Sequence, residues 1–397
     1  MLYSILICIN KILKHPKFLL LCGVIFVLAT SIAVTLSINL KNQVDSLANE
    51  KNEVSTRLTN IKSELDVLKK EDQYVKNKNL EETISKIEKT YTQAVDAYEK
   101  LLDLKNISKK TDTFDNQFAE ILTLLSERNY SSAEGELKDL TAKIQQEQQK
   151  IASSFVIPTN LPSSNSPPSS GYSRQAVQTD AGSFMVDIVS ADLNSTRVSV
   201  DTASESDCSN DCPVLSLGDY VGRNGAYAGI NGSYFCPADY PSCSDKKNTF
   251  DFLLMNKNKK YFNSDKNVYS TIPAAIFLGG SVRFVGQSLE WGRDTSPDGV
   301  IGNYPLLTIG GNVVFGGSGE AKLNSKGSRS FVGATGSTVY IGVVYNATVM
   351  ESAKTLQALG IQNSLNLDDG GSTALWFGAY KAGPGRALPN AILFVRK

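Results

Sequence analysis

Histidine is almost absent from this sequence: the only one is His15, which precedes an apolar run near the N-terminus. The rest of the 397-residue chain therefore excludes Ser-His-Asp and Cys-His catalytic sites and zinc sites with histidine ligands. Net charge is also lacking, because Lys and Arg total 40 and Asp and Glu total 40. This balance gives no indication of a nucleic-acid partner. Any chemistry must depend on carboxylates, hydroxyls, amides, Lys, Arg, Tyr or a bound hard metal ion.

Cysteine is scarce, and the six residues fall into two groups. Cys8 and Cys22 lie before or in the apolar run and are expected to be free apolar side chains. The other four lie close together in the C-terminal half: Cys208, Cys212, Cys236 and Cys243. Their clustering beyond a membrane segment predicts two disulfides in an oxidising compartment, with three connectivities open. A zinc site of four thiolates is the alternative, but the spacing lacks paired C-x2-C motifs.

The N-terminal region has the pattern of a membrane anchor. Residues 18–36 are almost all apolar, which is about long enough to cross a ~30 Å hydrocarbon core. Lys11, Lys14 and Lys17 precede this run, so the positive-inside rule predicts a cytoplasmic N-terminus at 1–17 and an anchor at 18–39. We therefore expect a single-pass type II protein of the cell membrane with its C-terminal domain extracytoplasmic. A cleaved signal peptide is the alternative, although the run is longer than a usual signal core.

A heptad stripe of apolar residues follows the anchor and predicts a coiled-coil stalk over residues 40–105. Lys51, Asp72 and Asn79 interrupt the stripe, which leaves self-association through the stalk and a helical hairpin both open. Residues 112–151 are predicted to form a helical hairpin, with Ser131 or Ser132 capping its last helix. Residues 153–174 are rich in Pro and Ser, which is typical of a flexible linker.

Residues 175–397 change to β-type runs separated by Gly and Asn turns, so the fold class predicted is α+β with a mostly β C-terminal domain. The predicted strands are 185–189, 197–200, 274–278, 282–285, 338–344 and 391–395, all rich in Val, Ile or Phe. Only two helices are predicted there, at 217–224 and 348–359, the second ending at Gly360.

Three polar motifs end or interrupt these β segments. They read Ala-Gly-Ile-Asn-Gly-Ser-Tyr-Phe at 228–235, Ser-Arg-Ser-Phe-Val-Gly at 328–333 and Leu-Asn-Leu-Asp-Asp-Gly-Gly-Ser-Thr at 365–373. In the third, Leu365 and Leu367 indicate a short buried strand that turns into a polar loop. The loop supplies Asp368 and Asp369 as acid, base or cation-binding groups, and a tight turn with solvated aspartates is the alternative.

In their order and residue sequence these motifs resemble those of the phosphodiester glycosidase family. Its members are relatives of the enzyme that uncovers mannose 6-phosphate by removing N-acetylglucosamine. The matching positions are Asn231, Gly232, Tyr234 and Phe235, then Arg329, Ser330 and Gly333, then Leu367, Asp368, Gly370, Gly371 and Ser372. Residues 303–307 and 386–393 are similar to further segments of the family. Asp369 departs from the pattern, because many members have glycine there. The resemblance covers residues 175–397 only.

The resemblance implies a substrate with a sugar joined to a phosphodiester. Asp368 is the first candidate for a catalytic or metal-holding carboxylate and Asp369 the second, since glycosidases usually employ carboxyl groups. Arg329 is the candidate phosphate partner, and a structural arginine paired with a carboxylate is the alternative. The candidate substrate-binding residues are Asn231, Gly232, Tyr234, Ser330, Gly370, Gly371, Ser372 and Thr373. Core packing is the alternative for Tyr234, and turn formation for Asn231.

The metal requirement stays open: Asp368, Asp369 and backbone oxygens would suit Ca2+ or Mg2+, and phosphate is also a good enough leaving group for a one-carboxylate mechanism. Ser372 is disfavoured as a nucleophile by the lack of histidine. We therefore predict a membrane-anchored glycosidase that hydrolyses sugar-1-phosphodiester links in surface glycans or glycopolymers. Two alternatives remain: a non-catalytic glycan-binding module on a helical stalk, and a stalk that recruits a partner while the domain senses ligand.

Overall fold

The computed structural model describes residues 16–267, 271–292 and 296–397. Most of the predicted cytoplasmic segment, including Cys8, Lys11 and Lys14, lies outside the described residues. The helices are α1 Pro16–Lys70, α2 Asp72–Ile107, α3 Asp112–Ser126, α4 Tyr130–Ser154, α5 Leu217–Asn224, α6 Ser264–Asn267, α7 Ala321–Asn324 and α8 Val349–Ala358. The chain divides at Lys86 and Ile87 into two units, which are described separately.

In the first unit, α1 contains a segment with the length and composition of a membrane-spanning helix, with a mean hydropathy of 2.1. A signal sequence satisfies the same criteria. The apolar stripe continues along α1, and its side chains are exposed: Leu47 by 63%, Leu58 by 52% and Leu65 by 46%. These leucines therefore form an uncovered apolar face of the helix.

The second unit begins with a three-helix bundle. The buried side chains are Ala94, Ala97, Leu101 and Leu104 of α2, Ile121 and Leu125 of α3, and Ala133, Leu137, Leu140 and Ile144 of α4. The last turns of α2, predicted as stalk, thus pack with α3 and α4, because their apolar positions recur on one face. The cap of α4 also differs from the sequence prediction: Asn129 Oδ1, and not Ser131 or Ser132, accepts the capping hydrogen bond, from Ser132 N at 3.3 Å.

The C-terminal domain, residues 171–397, is built from short strands. They are β1 Gly171–Thr179, β2 Gly182–Asp192, β3 Thr196–Thr202, β4 Ala228–Asn231, β5 Leu254–Met255, β6 Tyr261–Phe262, β7 Ala274–Leu278, β8 Ser281–Val285, β9 Gly299–Gly302, β10 Leu306–Ile309, β11 Asn312–Val313, β12 Gly327–Thr335, β13 Thr338–Ala347, β14 Asn363–Asn366, β15 Leu375–Phe377, β16 Ala379–Ala382 and β17 Asn390–Arg396. All six predicted strands and both predicted helices are present. Apart from β14, the other strands were not predicted from the sequence, and they include the nine-residue strands β1 and β12. The four-residue helices α6 and α7 were not predicted either.

The strands form three antiparallel sheets. The first has the order β1-β2-β13-β12-β14-β10-β11, the second β16-β15-β4-β17-β3 and the third β6-β5-β9-β7-β8. One apolar core takes side chains from all three, including Val189, Phe277 and Phe394. The helix α8 covers the first sheet with Val349, and α5 packs on the second sheet. The fold is therefore α+β, as the sequence predicts.

The Pro- and Ser-rich segment is not wholly separate from the sheets. Gln175 Nε2 donates to the carbonyl oxygens of Ser164 at 2.8 Å and Ser166 at 2.9 Å. Ser163 also forms a β-bridge with Ala176. Part of the predicted linker is thus fixed to β1, because its backbone finds hydrogen-bond partners on that edge.

Both predicted disulfides are present, and each closes a short loop. Cys208 pairs with Cys212, and Cys236 pairs with Cys243. Of the three connectivities that the sequence allows, the local one is found. The second disulfide staples the loop that directly follows the first polar motif.

Candidate active site

The loop of residues 367–373 carries the chain from the first sheet to the second. It follows β14, which pairs with β12 in the first sheet, and leads into β15, which pairs with β4 in the second. Leu367 N donates to Ser330 O at 2.9 Å, and Asp368 N donates to Gly232 O at 2.9 Å. The three polar motifs of the sequence therefore meet where the two sheets adjoin.

Asn231 links all three motifs through its fully buried amide. Its Nδ2 donates to Asp368 O at 2.7 Å, while its Oδ1 accepts from Ser330 Oγ at 2.9 Å and Ala374 N at 3.1 Å. Because both polar atoms of this buried amide have hydrogen-bond partners, Asn231 holds the loop of residues 367–373 in place. Asn231 and Ser330 thus position Asp368, whereas the sequence had suggested that Asn231 contacts substrate.

The glycines permit close approaches that a side chain would block. A β-carbon at Gly232 would lie 1.8 Å from Asn390 Oδ1. One at Gly371 would lie 2.7 Å from Asn106 Nδ2 and 2.9 Å from Arg386 Nη1. Gly370 has a φ of 60°, which favours glycine.

Asp368 is the buried carboxyl group of this loop, with 8% of its surface exposed. Its Oδ1 accepts a hydrogen bond from Asp369 N at 2.8 Å. Burial raises the pKa of Asp368 to about 7, against the lowering effect of hydrogen bonds from Ser372 and Asp369 N. The charge of Asp369 also raises this pKa, and that of Arg386 lowers it. Near neutral pH the group therefore exists in both protonation states.

Asp369 and Arg329 form a buried ion pair, with Nη1 and Oδ2 2.8 Å apart. The other donors of Arg329 point to backbone carbonyls: Nε to Ala347 O at 3.0 Å, and Nη2 to Lys322 O at 2.9 Å and to Ser325 O. Arg329 is only 4% exposed. This is the arrangement of a structural arginine, the second of the two interpretations that the sequence left open. Asp369, where the chain departs from the family pattern, supplies its carboxylate.

Tyr234 lies beside this pair and is held on both sides. Its hydroxyl donates to Asp369 Oδ2 at 3.1 Å and accepts from Asn366 Nδ2 at 2.7 Å, while its backbone N donates to Asn303 Oδ1 at 2.9 Å. Burial, then the charges of Asp369 and Asp368, raises the pKa of Tyr234 well above 10, so its hydroxyl keeps its proton. Asn303 and Asn366 were not singled out from the sequence, although both lie in the segments quoted above.

Ser372 and Thr373 belong to the same turn and are also buried. Ser372 N donates to Asp369 O at 3.2 Å, and Thr373 N donates to Gly370 O at 3.1 Å. The Thr373 hydroxyl lies 3.5 Å from Ser328 O. The structure therefore places both residues in contacts that shape the loop around Asp368.

Arg386 is a second arginine at the loop, and it was not a candidate from the sequence. Its backbone N donates to Gly371 O at 2.8 Å. Its guanidinium stands 5.0 Å from the ring centre of Tyr240 and 3.5 Å from Asp239 Oδ2. Burial opposes its charge, but Tyr240, Asp239 and Asp103 raise the pKa of Arg386 overall.

The last turns of α2 cover the same side of the loop. The hydroxyl of Tyr240 donates a hydrogen bond to Asp103 of α2, and Ser242 N donates to Oε1 of Glu99 in the same helix at 2.9 Å. Asn106, one turn further on, packs against Gly371. The helix, the disulfide-closed loop and the Asp368 loop are thus in direct contact within the second unit.

Comparison with known proteins agrees with the motifs. Residues 224–395 match the phosphodiester glycosidase family. The match includes all three motifs and Arg386. Among curated proteins, no match to the sequence was found. The match supports a phosphodiester glycosidase-type function for the C-terminal domain.

Solved structures that resemble the C-terminal domain were also found. The catalytic domain of zebrafish N-acetylglucosamine-1-phosphodiester alpha-N-acetylglucosaminidase, auto-inhibited by pro-peptide, is 16% identical with a TM-score of 0.45, covering 60% of this chain and 87% of that one. A hypothetical protein from Synechocystis is 15% identical with a TM-score of 0.44, covering 57% of this chain. This chain spans 62% of the length of the Synechocystis protein. A putative exported protein from Burkholderia pseudomallei is 11% identical with a TM-score of 0.36, covering 54% of this chain and 74% of that one.

Within residues 16–267, 271–292 and 296–397, no group of three or more His, Cys, Asp and Glu side chains is arranged to hold a metal ion. In the C-terminal domain, Arg329 and Tyr234 donate hydrogen bonds to Asp369, while Asp368 accepts one from the backbone N of Asp369. The two adjacent carboxylates therefore have different partners.

Proposed function

We propose that the C-terminal domain hydrolyses a sugar-1-phosphodiester and that Asp368 is its general acid. The observation that carries this proposal is a buried carboxyl group with a pKa of about 7, held where all three family motifs meet. A general acid is most effective when its pKa lies near the working pH. The family match supplies the substrate class.

The proposed step breaks the bond between the sugar C1 and the bridging oxygen of the phosphodiester. Asp368 gives its proton to that oxygen, which leaves with the phosphate as a phosphomonoester. A water oxygen forms the new bond to C1, and its surplus proton passes to solvent. The sugar is released with a free C1 hydroxyl, and Asp368 regains a proton from solvent.

The supporting residues have separate roles in this mechanism. Asn231 and Ser330 hold the Asp368 backbone, and Tyr234 with Arg329 fixes Asp369. Asp369 stays beside the acid and helps to raise the pKa of Asp368. The proposed step uses one carboxyl group at the reacting centre, which neutralises the negative charge that develops on the bridging oxygen as it leaves.

The test uses the full chain in detergent with a GlcNAc-1-phosphodiester and measures released reducing sugar. Asp368→Asn is expected to lower kcat/KM by roughly 100-fold or more, the usual contribution of a general acid. Asp192→Asn, an exposed aspartate at the end of β2, is the matched control and is expected to keep full activity. If wild type and both variants are equally inert yet bind the glycan alike, the domain is a binding module.

The position of bond cleavage can be checked with the same substrate in H2 18O. Cleavage at C1 places the label in the hydroxyl group of the sugar. Label in the released phosphate would instead show attack at phosphorus and would contradict the proposed step.

We also propose that α1 anchors the protein in the cell membrane as a single-pass type II protein, with the C-terminal domain extracytoplasmic. The apolar segment of α1 and the two disulfides support this arrangement, because disulfides persist in oxidising compartments. The substrate would then be a surface glycan or glycopolymer. Protease added to intact cells should digest the C-terminal domain, and full protection would contradict the topology.

A further inference from the structure

The arginines of the C-terminal domain that form ion pairs differ in how firmly carboxylates hold them. Arg174 lies 2.6 Å from Asp187, Arg223 lies 2.8 Å from Asp201, and Arg329 lies 2.8 Å from Asp369. Each of these carboxylates is almost fully buried. Those guanidinium groups are therefore committed to the fold.

Arg386 is held much less firmly. It lies 3.5 Å from Asp239, and the Asp239 side chain is 50% exposed. A contact of this length to a solvated carboxylate contributes little and is readily exchanged for another anion. The Arg386 side chain is 18% exposed, so solvent reaches it while most of it is held in place.

Arg386 lies against the loop that carries Asp368. Its Nη1 lies 2.9 Å from the place where a β-carbon of residue 371 would be, so the guanidinium group lies against Gly371. Its backbone is tied to the loop by the bond to Gly371 O. The guanidinium thus stands directly beside the loop that carries Asp368.

A second cation lies near the same surface. The ammonium of Lys322 stands 5.2 Å from the ring centre of Tyr240, and the Arg386 guanidinium 5.0 Å from it. The Tyr240 hydroxyl is turned to Asp103 of α2. Two positive charges therefore lie close to one aromatic ring beside the loop that carries Asp368.

We propose that Arg386, and not Arg329, binds the phosphate of the substrate, an inference that rests on the function proposed above. A phosphodiester carries one negative charge, and the planar fork of a guanidinium donates two parallel hydrogen bonds to its oxygens. The phosphate replaces the long contact to Asp239. The sugar C1 then lies toward Asp368, whose proton goes to the bridging oxygen.

The test compares two substrates of the same sugar, the 1-phosphodiester and a neutral aryl glycoside, on the full chain in detergent. Arg386→Gln is expected to lower kcat/KM for the phosphodiester by roughly 10- to 100-fold, chiefly through KM, because a charged hydrogen-bond partner is lost. Hydrolysis of the neutral glycoside should change less than about twofold, since no phosphate is bound. Arg197→Gln, an exposed arginine on β3, is the control for loss of charge alone.

The outcomes separate this inference from the proposed function. If wild type hydrolyses the phosphodiester and Arg386→Gln does so equally well, the role of Arg386 is overturned while the hydrolase function stands. If wild type hydrolyses neither substrate, the function fails, and calorimetric titration with inorganic phosphate decides the site. The phosphate site at Arg386 is supported if wild type and Arg197→Gln bind phosphate and Arg386→Gln does not. Equal binding by all three proteins, or binding by none, overturns the site.

Arg386→Lys is a second variant that keeps the test valid if Arg386→Gln does not fold. Lysine keeps the charge but loses the planar fork, so an intermediate KM for the phosphodiester is expected. Wild-type kinetics in this variant would contradict bidentate binding.

Discussion

At the scale of single residues, Asp368 combines burial with a defined set of hydrogen-bond partners. Its pKa of about 7 results mainly from desolvation, which disfavours the charged carboxylate. Asp369 lies next to it but is paired with Arg329. Two neighbouring aspartates therefore differ in their surroundings: Asp368 is buried with a raised pKa, and Asp369 is held in an ion pair with Arg329.

The first prediction concerns the pH dependence of activity. If Asp368 acts as the acid, its protonated form is required, so kcat/KM should be level below about pH 7 and fall tenfold per pH unit above it. A pH profile with the phosphodiester substrate measures this. A profile that rises through pH 7 would assign Asp368 the opposite role, that of a base.

The second prediction concerns stability. The unfolded Asp368 ionises near its ordinary pKa of 3.8 and the folded one near 7, so between these values the folded state holds an extra proton. Raising the pH through this window therefore destabilises wild type, by up to roughly 4 kcal/mol at pH 8 for this group. Asp368→Asn has no carboxyl group at this position and therefore lacks this pH-dependent destabilisation. In urea unfolding, the stability of Asp368→Asn relative to wild type should increase from pH 4 to pH 8. A difference that does not vary with pH would contradict the raised pKa.

At the scale of elements, the last turns of α2 contact the disulfide-closed loop. Glu99 accepts a hydrogen bond from Ser242 N and Asp103 accepts one from the Tyr240 hydroxyl, and both donors lie within the Cys236–Cys243 loop. The loop is short, and its closure by the disulfide restricts the unfolded chain. We therefore expect the disulfide to help to hold the end of α2 in place.

The third prediction tests this expectation. Replacing Cys236 and Cys243 by serine should lower the free energy of unfolding by roughly 2 kcal/mol and speed amide exchange in residues 99–107. Replacing Cys208 and Cys212 by serine is the matched control, because that disulfide also closes a short loop. Exchange in residues 99–107 that rises equally in both variants would show that the staple does not hold α2.

At the scale of the whole molecule, the uncovered stripe on α1 favours association with a second copy through a coiled coil, which we propose as the function of the stalk. Leu47, Leu58 and Leu65 are all exposed in a single chain. Apolar residues at heptad spacing are buried when two helices wrap around each other.

The fourth prediction tests this association. Leu58→Asp should shift full-length protein in detergent toward the monomer, because a charge in the seam opposes helix pairing. Asn60→Asp, which adds the same charge beside the stripe, should leave the oligomer unchanged. Sedimentation of both variants measures the effect, and a wild type that is already monomeric would contradict the proposal.

The sequence by itself determined the features that depend on neighbours along the chain. The helix α8 was predicted because apolar residues recur on one face and Gly360 follows as its stop. The structure adds a capping box formed by Thr348 and Glu351. The strand β14 was indicated by Leu365 and Leu367, both of which are fully buried. The three motifs and the four cysteines that form disulfides were also identified from the sequence, since each group lies within a short segment.

Only the tertiary structure decided which side chains face each other at the site. Asn231 reaches Asp368 across 137 residues, and Arg329 reaches Asp369 across 40, so no local pattern indicates either pairing. The sequence left a substrate phosphate and a carboxylate of the chain both open as partners of Arg329, and in the fold the partner is the carboxylate of Asp369. Arg386 was recognised only when Gly371 placed it beside the loop. Burial, which sets the pKa of Asp368, is a property of all the elements around it and is fixed only when the two sheets meet.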